Sequence, residues 1–153
     1  MRIRAATQAD LPALARLMAA SPLLRRYGVD ARRARAALVD ARRARDVLLV
    51  AESVSILGLA WAVLARSLDR SAYLRLLLIA EGARSRGIGS ALLERVERIA
   101  RRELAHHLAL LVTRTNLRAR RFYERSGYAR VGVLRGFVRP GIDEVLYVKT
   151  WRR

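Results

Sequence analysis

The sequence contains no cysteine, a single lysine and no long uncharged run. Without cysteine, the chain has no disulfide, no thiolate metal ligand and no cysteine nucleophile. Charged residues interrupt every stretch of about eighteen residues, which excludes a membrane-spanning helix. The first residues, Met1 to Arg4, begin no apolar run ahead of a small-residue cleavage site, so we expect no signal peptide and a cytoplasmic protein.

Acidic residues are scarce as well. The chain has 13 Asp and Glu against 31 Lys and Arg, all of the latter arginine except Lys149, and its formal net charge is +18. Such a charge attracts anions. A chain this rich in Ala, Leu and Arg is also typical of biased genomic composition. We therefore do not expect nucleic-acid binding to be the main function.

A six-residue repeat concentrates part of this charge. The letters DARRAR occur at 30–35 and again at 40–45, in a helix predicted over Asp30 to Arg45. At about 3.6 residues per turn, the two copies lie about 80° apart around the helix and do not form one stripe. We interpret the repeat as a solvated arginine face; a docking surface for RNA or an acidic partner is the alternative.

The chain is organised around the stretch from Leu74 to Glu103. It begins with the apolar run Leu76–Ala80, continues through the glycine-punctuated turn Arg84–Gly89, and ends in a helical pattern. In that helix, apolar residues recur at spacings of three and four, and the opposite face is charged. With 153 residues, the chain is long enough for one domain with a sizeable core.

The turn between this strand and this helix has the properties of an anion site. The first N–H groups of a helix have no partner within it, and the helix dipole is positive there. Gly87 and Gly89 let a phosphate approach the backbone, and Arg84 and Arg86 add permanent positive charge. The turn suits a pyrophosphate, although it matches neither the P-loop nor the dinucleotide fingerprint.

Two segments carry a resemblance to a known family. Arg84, Gly87 and Gly89 fill the pattern Arg/Gln-x-x-Gly-x-Gly/Ala. Further along, the segment at 116–128 follows a second pattern, Asn-x-x-Ala-x-x-Phe-Tyr-Glu-x-x-Gly-Phe/Tyr. It reads NLRARRFYERSGY and matches at Asn116, Ala119, Phe122, Tyr123, Glu124, Gly127 and Tyr128. In both motifs and their order, the chain resembles the GNAT superfamily of acyl-CoA N-acyltransferases.

The predicted elements follow the order β-α-α-β-β-β-α-β-α-β-β, which is similar to that family. The predicted strands after the first are Val47–Glu52, Ile56–Leu64, Tyr73–Ala80, His107–Thr113, Tyr128–Leu134 and Glu144–Trp151. The expected fold class is α/β (α+β): a mixed, mostly antiparallel sheet of about seven strands with helices on both faces. We expect a single GNAT domain over residues 1–153.

The resemblance implies a set of residues that contact acetyl-CoA. In the family, the strand before the glycine turn splays from the next strand, the pantetheine arm enters the gap, and the turn holds the pyrophosphate. Carried over to this chain, the cofactor residues are Leu78, Ile79, Ala80, Arg84, Ser85, Arg86, Gly87, Ile88, Gly89, Ser90, Asn116 and Tyr123. A helix N-cap is a further role for Asn116.

The implied reaction is direct transfer of the acetyl group from acetyl-CoA to a primary amine of a small molecule or of a peptide or protein N-terminus. Tyr123 matches the family's general acid toward the CoA sulfur, and a phenol with a pKa near ~10 is protonated at neutral pH. Packing beside Phe122 is its alternative role. No carboxylate lies in Tyr73–Ala80 or Leu108–Val112, so no general base is named. A non-catalytic acyl-CoA-sensing or RNA-binding module on the same fold is the alternative function.

The acceptor side is predicted in outline. In similar proteins the acceptor is set by segments that correspond here to the loops predicted at 21–29 and 135–143, with candidate residues Arg25, Tyr27, Asp143 and Glu144. Arginines in both loops favour a neutral or acidic acceptor over a polyamine. Dimers are common in the family, and the final strand with Trp151 makes a homodimer an alternative to a monomer.

No metal site is predicted. His106 and His107 are adjacent, so on a strand their side chains point to opposite sides, and no acidic or thiolate ligand is spaced to join them. We interpret them as part of a helix-to-strand connection.

Overall fold

The structure, a computed structural model, describes residues 1–65 and 67–151. Its elements follow in chain order as β1 (Arg2–Ala5), α1 (Leu11–Ala20), α2 (Pro22–Arg26), α3 (Ala31–Arg43), β2 (Val47–Glu52), β3 (Ile56–Leu64), α4 (Ser67–Arg70), β4 (Ser71–Ile79), α5 (Ile88–Arg102), β5 (His107–Thr113), α6 (Leu117–Arg125), β6 (Ala129–Arg139) and β7 (Ile142–Thr150). The element α4 is a single turn with left-handed backbone at Leu68 and Asp69.

Seven strands form one sheet in the order β1-β2-β3-β4-β5-β7-β6. The β4–β5 pair is parallel, whereas the β1–β2, β2–β3, β5–β7 and β6–β7 pairs are antiparallel. The predicted mixed, mostly antiparallel sheet is therefore confirmed, as is the predicted order of its strands and main helices. The hairpin of β2 with β3 and the strand β5 have the predicted bounds.

Helix α2 lies where the sequence predicted only a loop. Ser21 ends α1, but its side-chain oxygen also accepts a hydrogen bond from the Leu24 N–H at 3.3 Å and so begins the next helix. Pro22 occupies the first turn of α2, where a missing N–H costs little. The same two residues therefore end one helix and start another.

The connection between the last two strands is shorter than predicted. Strand β6 continues past Leu134 to Arg139, and only Pro140 and Gly141 form the turn. A register shift between Leu134 and Arg139, with Gly136 at a φ of 55°, keeps this part of β6 paired with β7. Most side chains there are exposed, so the sequence shows no alternation that would predict the strand.

The chain divides into two compact units. In the first, residues 1–62 and 76–96, alternate side chains of β3 face different helices. Leu59 and Trp61 belong to the core cluster that includes α1 and α3, whereas a β-carbon on Gly58 would lie 3.2 Å from Leu92 of α5. Helices therefore cover both faces of this strand, as predicted.

The second unit, residues 63–75 and 97–153, is built around β7. This strand pairs with β5 on one side and with β6 on the other. Its residues Val145 and Tyr147 are fully buried, and Lys149 follows them on the same face because side chains alternate along a strand. A single domain over 1–153 stays a prediction.

Candidate active site

The turn after β4 is built from left-handed backbone. A 3-10 turn, Glu81–Ala83, follows β4, and α5 begins at Ile88. Between them, Ser85 and Gly87 have φ values of 63° and 72°. A β-carbon on Gly87 would meet no atom within 4 Å. Glycine is therefore favoured there for its backbone freedom and not for lack of space.

The start of α5 presents backbone donors. The first hydrogen bond of the helix runs from the Ala91 N–H to the Gly87 carbonyl at 3.0 Å. The N–H groups of residues 88–90 precede it and point out of the helix end. Arg84 and Arg86 in the same turn are exposed. Backbone donors, the positive end of a helix dipole and two guanidinium groups together suit a phosphate.

The end of β4 is apolar but only half-buried. Its parallel ladder with β5 covers Ser71–Leu74 and His107–Leu110, and residues 76–80 follow beyond it. The Ala80 N–H donates to the Leu57 carbonyl at 2.8 Å. Of the backbone donors predicted to contact the cofactor here, the Ala80 N–H thus already has a partner within the protein.

Asn116 caps the helix that carries Tyr123. Its side-chain oxygen accepts from the Ala119 N–H at 3.1 Å, and its own N–H donates to the Thr113 carbonyl at 2.8 Å. The capping role considered for Asn116 is therefore present. It uses only the oxygen of the side-chain amide and leaves the nitrogen out of the cap.

Tyr123 is buried in α6, with 8% of its surface exposed. Its ring contacts Phe122 and Tyr128 edge-on, at centroid distances of 5.1 and 5.6 Å. A phenol is protonated at neutral pH, and burial raises the pKa of the Tyr123 hydroxyl further, so the proton is also kept at more basic pH. Within the described part of the chain, this hydroxyl has no hydrogen-bond partner. It is therefore available to donate to a ligand.

A buried ion pair that the sequence did not predict adjoins this tyrosine. The Tyr128 hydroxyl donates to Glu97 at 2.9 Å, and Lys149 Nζ donates to both Glu97 oxygens at 2.9 Å. Lys149 Nζ also donates to the Ser126 carbonyl at 2.9 Å. Burial and the charge of Glu97 raise the pKa of Tyr128. The one signal in the sequence was Lys149, the lone lysine among arginines.

A second polar contact joins α6 to β7. The buried Tyr147 hydroxyl donates to Glu124 Oε1 at 2.7 Å and accepts from Arg120 Nε at 3.2 Å. This gives Glu124, a residue of the family pattern, a structural role. Tyr147 and Lys149 lie on the same face of β7. They hold α6 at two places along its length.

Of the four predicted acceptor residues, two lie in the first unit and two in the second. In the first unit, Arg25 is exposed in α2, and Tyr27 is half-buried at the end of that helix. In the second unit, Asp143 Oδ1 accepts from the Gly136 N–H at 3.2 Å, and Asp143 Oδ2 lies 3.5 Å from Arg114. The carboxylate of Asp143 thus fastens the β6–β7 hairpin.

Glu144 is a buried carboxylate in the sheet. It is 3% exposed and lies opposite Thr113 of β5 and Leu134 of β6. It also acts on Tyr73: burial raises the pKa of Tyr73, the charge of Arg75 lowers it, and the charge of Glu144 raises it. The structure therefore places a carboxylate beside β5, although β5 itself carries none.

The predicted geometry of the two histidines is wrong. His106 lies before β5 begins, so the alternation of a strand does not separate it from His107. Instead, His106 Nδ1 and His107 Nε2 lie 3.4 and 3.5 Å from Asp69 Oδ2. Among the residues that the structure describes, no group of three or more His, Cys, Asp or Glu is arranged to hold a metal ion.

The sequence pattern of the Acetyltransferase (GNAT) family matches residues 15–128. The match covers most of the chain and includes both the glycine turn and Tyr123, so the protein belongs to the GNAT acetyltransferase family. Compared by sequence with proteins of curated function, the chain matches none.

Solved structures share the fold over nearly the full length. A ribosomal-protein-alanine N-acetyltransferase from Brucella melitensis is 25% identical, with 99% of this chain and 100% of that chain covered and a TM-score of 0.79. An aminoglycoside 6'-N-acetyltransferase complexed with coenzyme A is 16% identical, with 100% and 99% covered and a TM-score of 0.83. A Salmonella typhimurium protein solved with its cofactor acetyl-CoA is 18% identical, with 99% and 94% covered and a TM-score of 0.77.

Two further expectations concern a homodimer and membrane-spanning helices. The homodimer considered from the final strand gains no support from these relatives. Across the part of the chain that the structure describes, no helix is long and apolar enough to cross a membrane.

Proposed function

We propose that the protein is an N-acetyltransferase that moves the acetyl group of acetyl-CoA to a primary amine. The observation that carries this proposal is Tyr123, a buried phenol whose hydroxyl has no partner among the described residues. It stands seven residues after Asn116, where the family pattern has its tyrosine. Such a phenol is suited to give its proton to a leaving thiolate.

We assign the pyrophosphate of acetyl-CoA to the start of α5. The N–H groups of residues 88–90, the open space at Gly87 and the exposed Arg84 and Arg86 support this assignment. For the pantetheine arm, we propose the backbone of Leu78 and Ile79, with a smaller part for Ala80 because its N–H donates to Leu57. The amide nitrogen of Asn116 is the proposed side-chain contact.

Acetyl-CoA supplies an acyl group activated by its bond to sulfur. In the proposed transfer, the acceptor nitrogen bonds to the acyl carbon and the carbon–sulfur bond breaks. Tyr123 gives its hydroxyl proton to the departing sulfur, the amine loses a proton to water, and water reprotonates Tyr123. We name no general base, since β4 and β5 carry no carboxylate.

For the acceptor, we propose a neutral or acidic primary amine, such as an amino acid or a peptide N-terminus. The net charge of +18 and the exposed Arg25 disfavour a polycation. The Brucella melitensis relative, whose name gives ribosomal-protein alanine as its acceptor, agrees with a peptide N-terminus. Tyr27 in the first unit, and Asp143 and Glu144 in the second, are further proposed acceptor residues, each considered within its own unit.

Calorimetric titration tests the cofactor part of the proposal. Acetyl-CoA is titrated at moderate and raised salt, with ATP and inorganic pyrophosphate as controls, because a protein of charge +18 attracts any polyanion and salt screens such binding. We expect acetyl-CoA binding to survive the added salt and to exceed that of ATP. Equal, salt-sensitive binding of all three would mean that the turn is only a basic patch.

Release of free thiol then measures transfer to a panel of amines. The panel contains amino acids, an acidic peptide with a free N-terminal alanine, spermidine and an aminoglycoside. The highest kcat/KM is expected for an amino acid or the peptide, and a preference for spermidine or the aminoglycoside would contradict the proposed acceptor class. Specific acetyl-CoA binding without transfer to any amine would instead favour an acyl-CoA-sensing module. The observation that favours this second function is that β4 and β5 carry no carboxylate to act as a general base.

A further inference from the structure

Lys149 is the only lysine in a chain with 31 Lys and Arg residues. Its side chain is largely buried, with 24% exposed. An ammonium carries three donors, and here each has an acceptor at 2.9 Å: the two oxygens of Glu97 and the carbonyl of Ser126. A guanidinium is a larger, planar fork that does not direct three donors around one nitrogen. The site therefore fits lysine and not arginine.

The contacts of Lys149 lead to Tyr123 by two routes. Ser126 caps the end of α6, and its N–H donates to the Tyr123 carbonyl at 3.0 Å. Glu97 accepts from the Tyr128 hydroxyl, and the Tyr128 ring contacts the Tyr123 ring. One buried ammonium is thus linked to both the backbone and the ring of the proposed proton donor.

Lys149 is also the main cation that neutralises Glu97. Glu97 is 6% exposed, and its other basic neighbour, Arg101, lies at 3.9 Å with a side chain that is 56% exposed. A buried carboxylate without a close cation is strongly destabilised. Removing Lys149 is therefore expected to disturb Glu97 and, through it, the ring of Tyr128.

We propose that Lys149 is a positioning residue for acetyl transfer: through Ser126, Glu97 and Tyr128 it sets where the Tyr123 hydroxyl stands. All three of its donors are used within the protein, so it acts through Tyr123 and not on the substrates. This inference rests on the proposed function, in which Tyr123 is the proton donor.

The test compares Lys149→Met in the wild-type and Tyr123→Phe backgrounds, with acetyl-CoA and the best acceptor of the panel. In the wild type, kcat should fall about 10- to 100-fold while the KM for acetyl-CoA stays within about twofold, since a misplacement of about 1 Å has effects of this size. In Tyr123→Phe, which has no hydroxyl to position, the same change should alter kcat by less than about twofold.

Two further variants separate positioning from folding. Arg101→Met also removes a cation near Glu97 but leaves Ser126 bonded, and kcat should stay within about twofold. The double variant Glu97→Gln with Lys149→Met removes both buried charges. It should melt near the wild-type temperature and still show a lowered kcat, because the bond to Ser126 is missing.

An equal loss of kcat from Lys149→Met in both backgrounds would overturn the proposal, since a structural role does not depend on the Tyr123 hydroxyl. An unchanged kcat in the folded double variant would also overturn it. If the proposed function itself is wrong, the measurements give a different result. In that case the wild type acetylates no amine, or Tyr123→Phe alone leaves kcat unchanged, before any Lys149 variant is compared.

Discussion

The two regions proposed to act on acetyl-CoA are built in opposite ways. The turn at Arg84–Ser90 is mostly exposed, and it offers backbone: N–H groups at the start of α5 and a left-handed Gly87. The region of Tyr123 is buried, and it offers one phenol surrounded by partnered side chains. The turn is continuous in sequence, whereas Lys149 and Glu97 are 52 positions apart.

This difference predicts different sensitivities to substitution. A site made of backbone is lost when the chain conformation changes, so most side-chain replacements in the exposed turn should have small effects. In the buried region, removing one polar group leaves another unpaired in surroundings of low dielectric constant. The buried region should therefore respond to almost any change, and the turn mainly to changes at its left-handed positions and at Arg84 and Arg86.

Tyr123→Phe should have the largest effect. It removes the hydroxyl and keeps the ring between Phe122 and Tyr128, so kcat should fall about 100-fold or more while acetyl-CoA affinity is retained. Steady-state kinetics and calorimetry measure the two quantities. Phe122→Leu, which alters the packing and keeps the hydroxyl, is the control and should lose less activity. A wild-type kcat in Tyr123→Phe would leave Tyr123 with a packing role alone.

Gly87→Ala should have the next largest effect, on cofactor binding. At a φ of 72°, a side chain costs about 1–2 kcal/mol. If the turn changes conformation to avoid this strain, the Kd for acetyl-CoA rises about tenfold. Gly82→Ala is the matched control, because its φ is not left-handed and a β-carbon there would meet no atom within 4 Å. Equal affinities of the two variants, measured by calorimetry, would contradict a site made of backbone.

The pH dependence of kcat should report the burial of the phenol. An exposed tyrosine ionises near pH ~10, whereas burial raises the pKa of Tyr123. The proton-donating form is therefore kept as the pH rises through about 10 and is lost only above the raised pKa. We expect no decrease in kcat between about pH 8 and 10 that is specific to Tyr123. A basic limb in this range that Tyr123→Phe abolishes would indicate an exposed phenol.

The smallest effect should come from an ion cluster in the first unit, which is more exposed than Glu97–Lys149. Arg4 donates to Asp10 and Glu52, and these bonds lower the pKa of both carboxyls. Such groups stabilise the fold above the pKa of the unfolded chain, near ~4, and this stabilisation is lost as the pH falls through the lowered values. Arg4→Met should therefore lower the Tm at pH 7 by a few degrees and have less effect at pH 3.

Thermal melting at the two pH values measures this change. Arg2→Met is the control, because Arg2 lies 3.5 Å from Glu52 with a side chain that is 72% exposed. It should change the Tm less than Arg4→Met does. An equal loss at pH 3 and pH 7 in Arg4→Met would show that packing, and not charge, is the cause.

Local causes explain which predictions were confirmed. Both ends of strand β5 were predicted correctly because its apolar run is bounded by His107 and by the Asn116 cap of the next helix. Strand β6 was drawn too short because its continuation is exposed and paired on one side only, which leaves no periodic pattern. The prediction that the two histidine side chains point to opposite sides was wrong for a related reason. It applied the alternation of a strand to His106, one residue before the strand begins.

By itself, the sequence determined the family, the order of the strands and main helices, and a glycine turn suited to phosphate, because each depends on residues that are neighbours along the chain. Only the tertiary structure decided what surrounds Tyr123. Glu97 lies in α5, Tyr128 directly precedes β6 and Lys149 lies in β7, and they meet because packing of the second unit brings these segments together. No periodicity relates residues at such separations, so the partner of a buried charge is known only once the chain is folded.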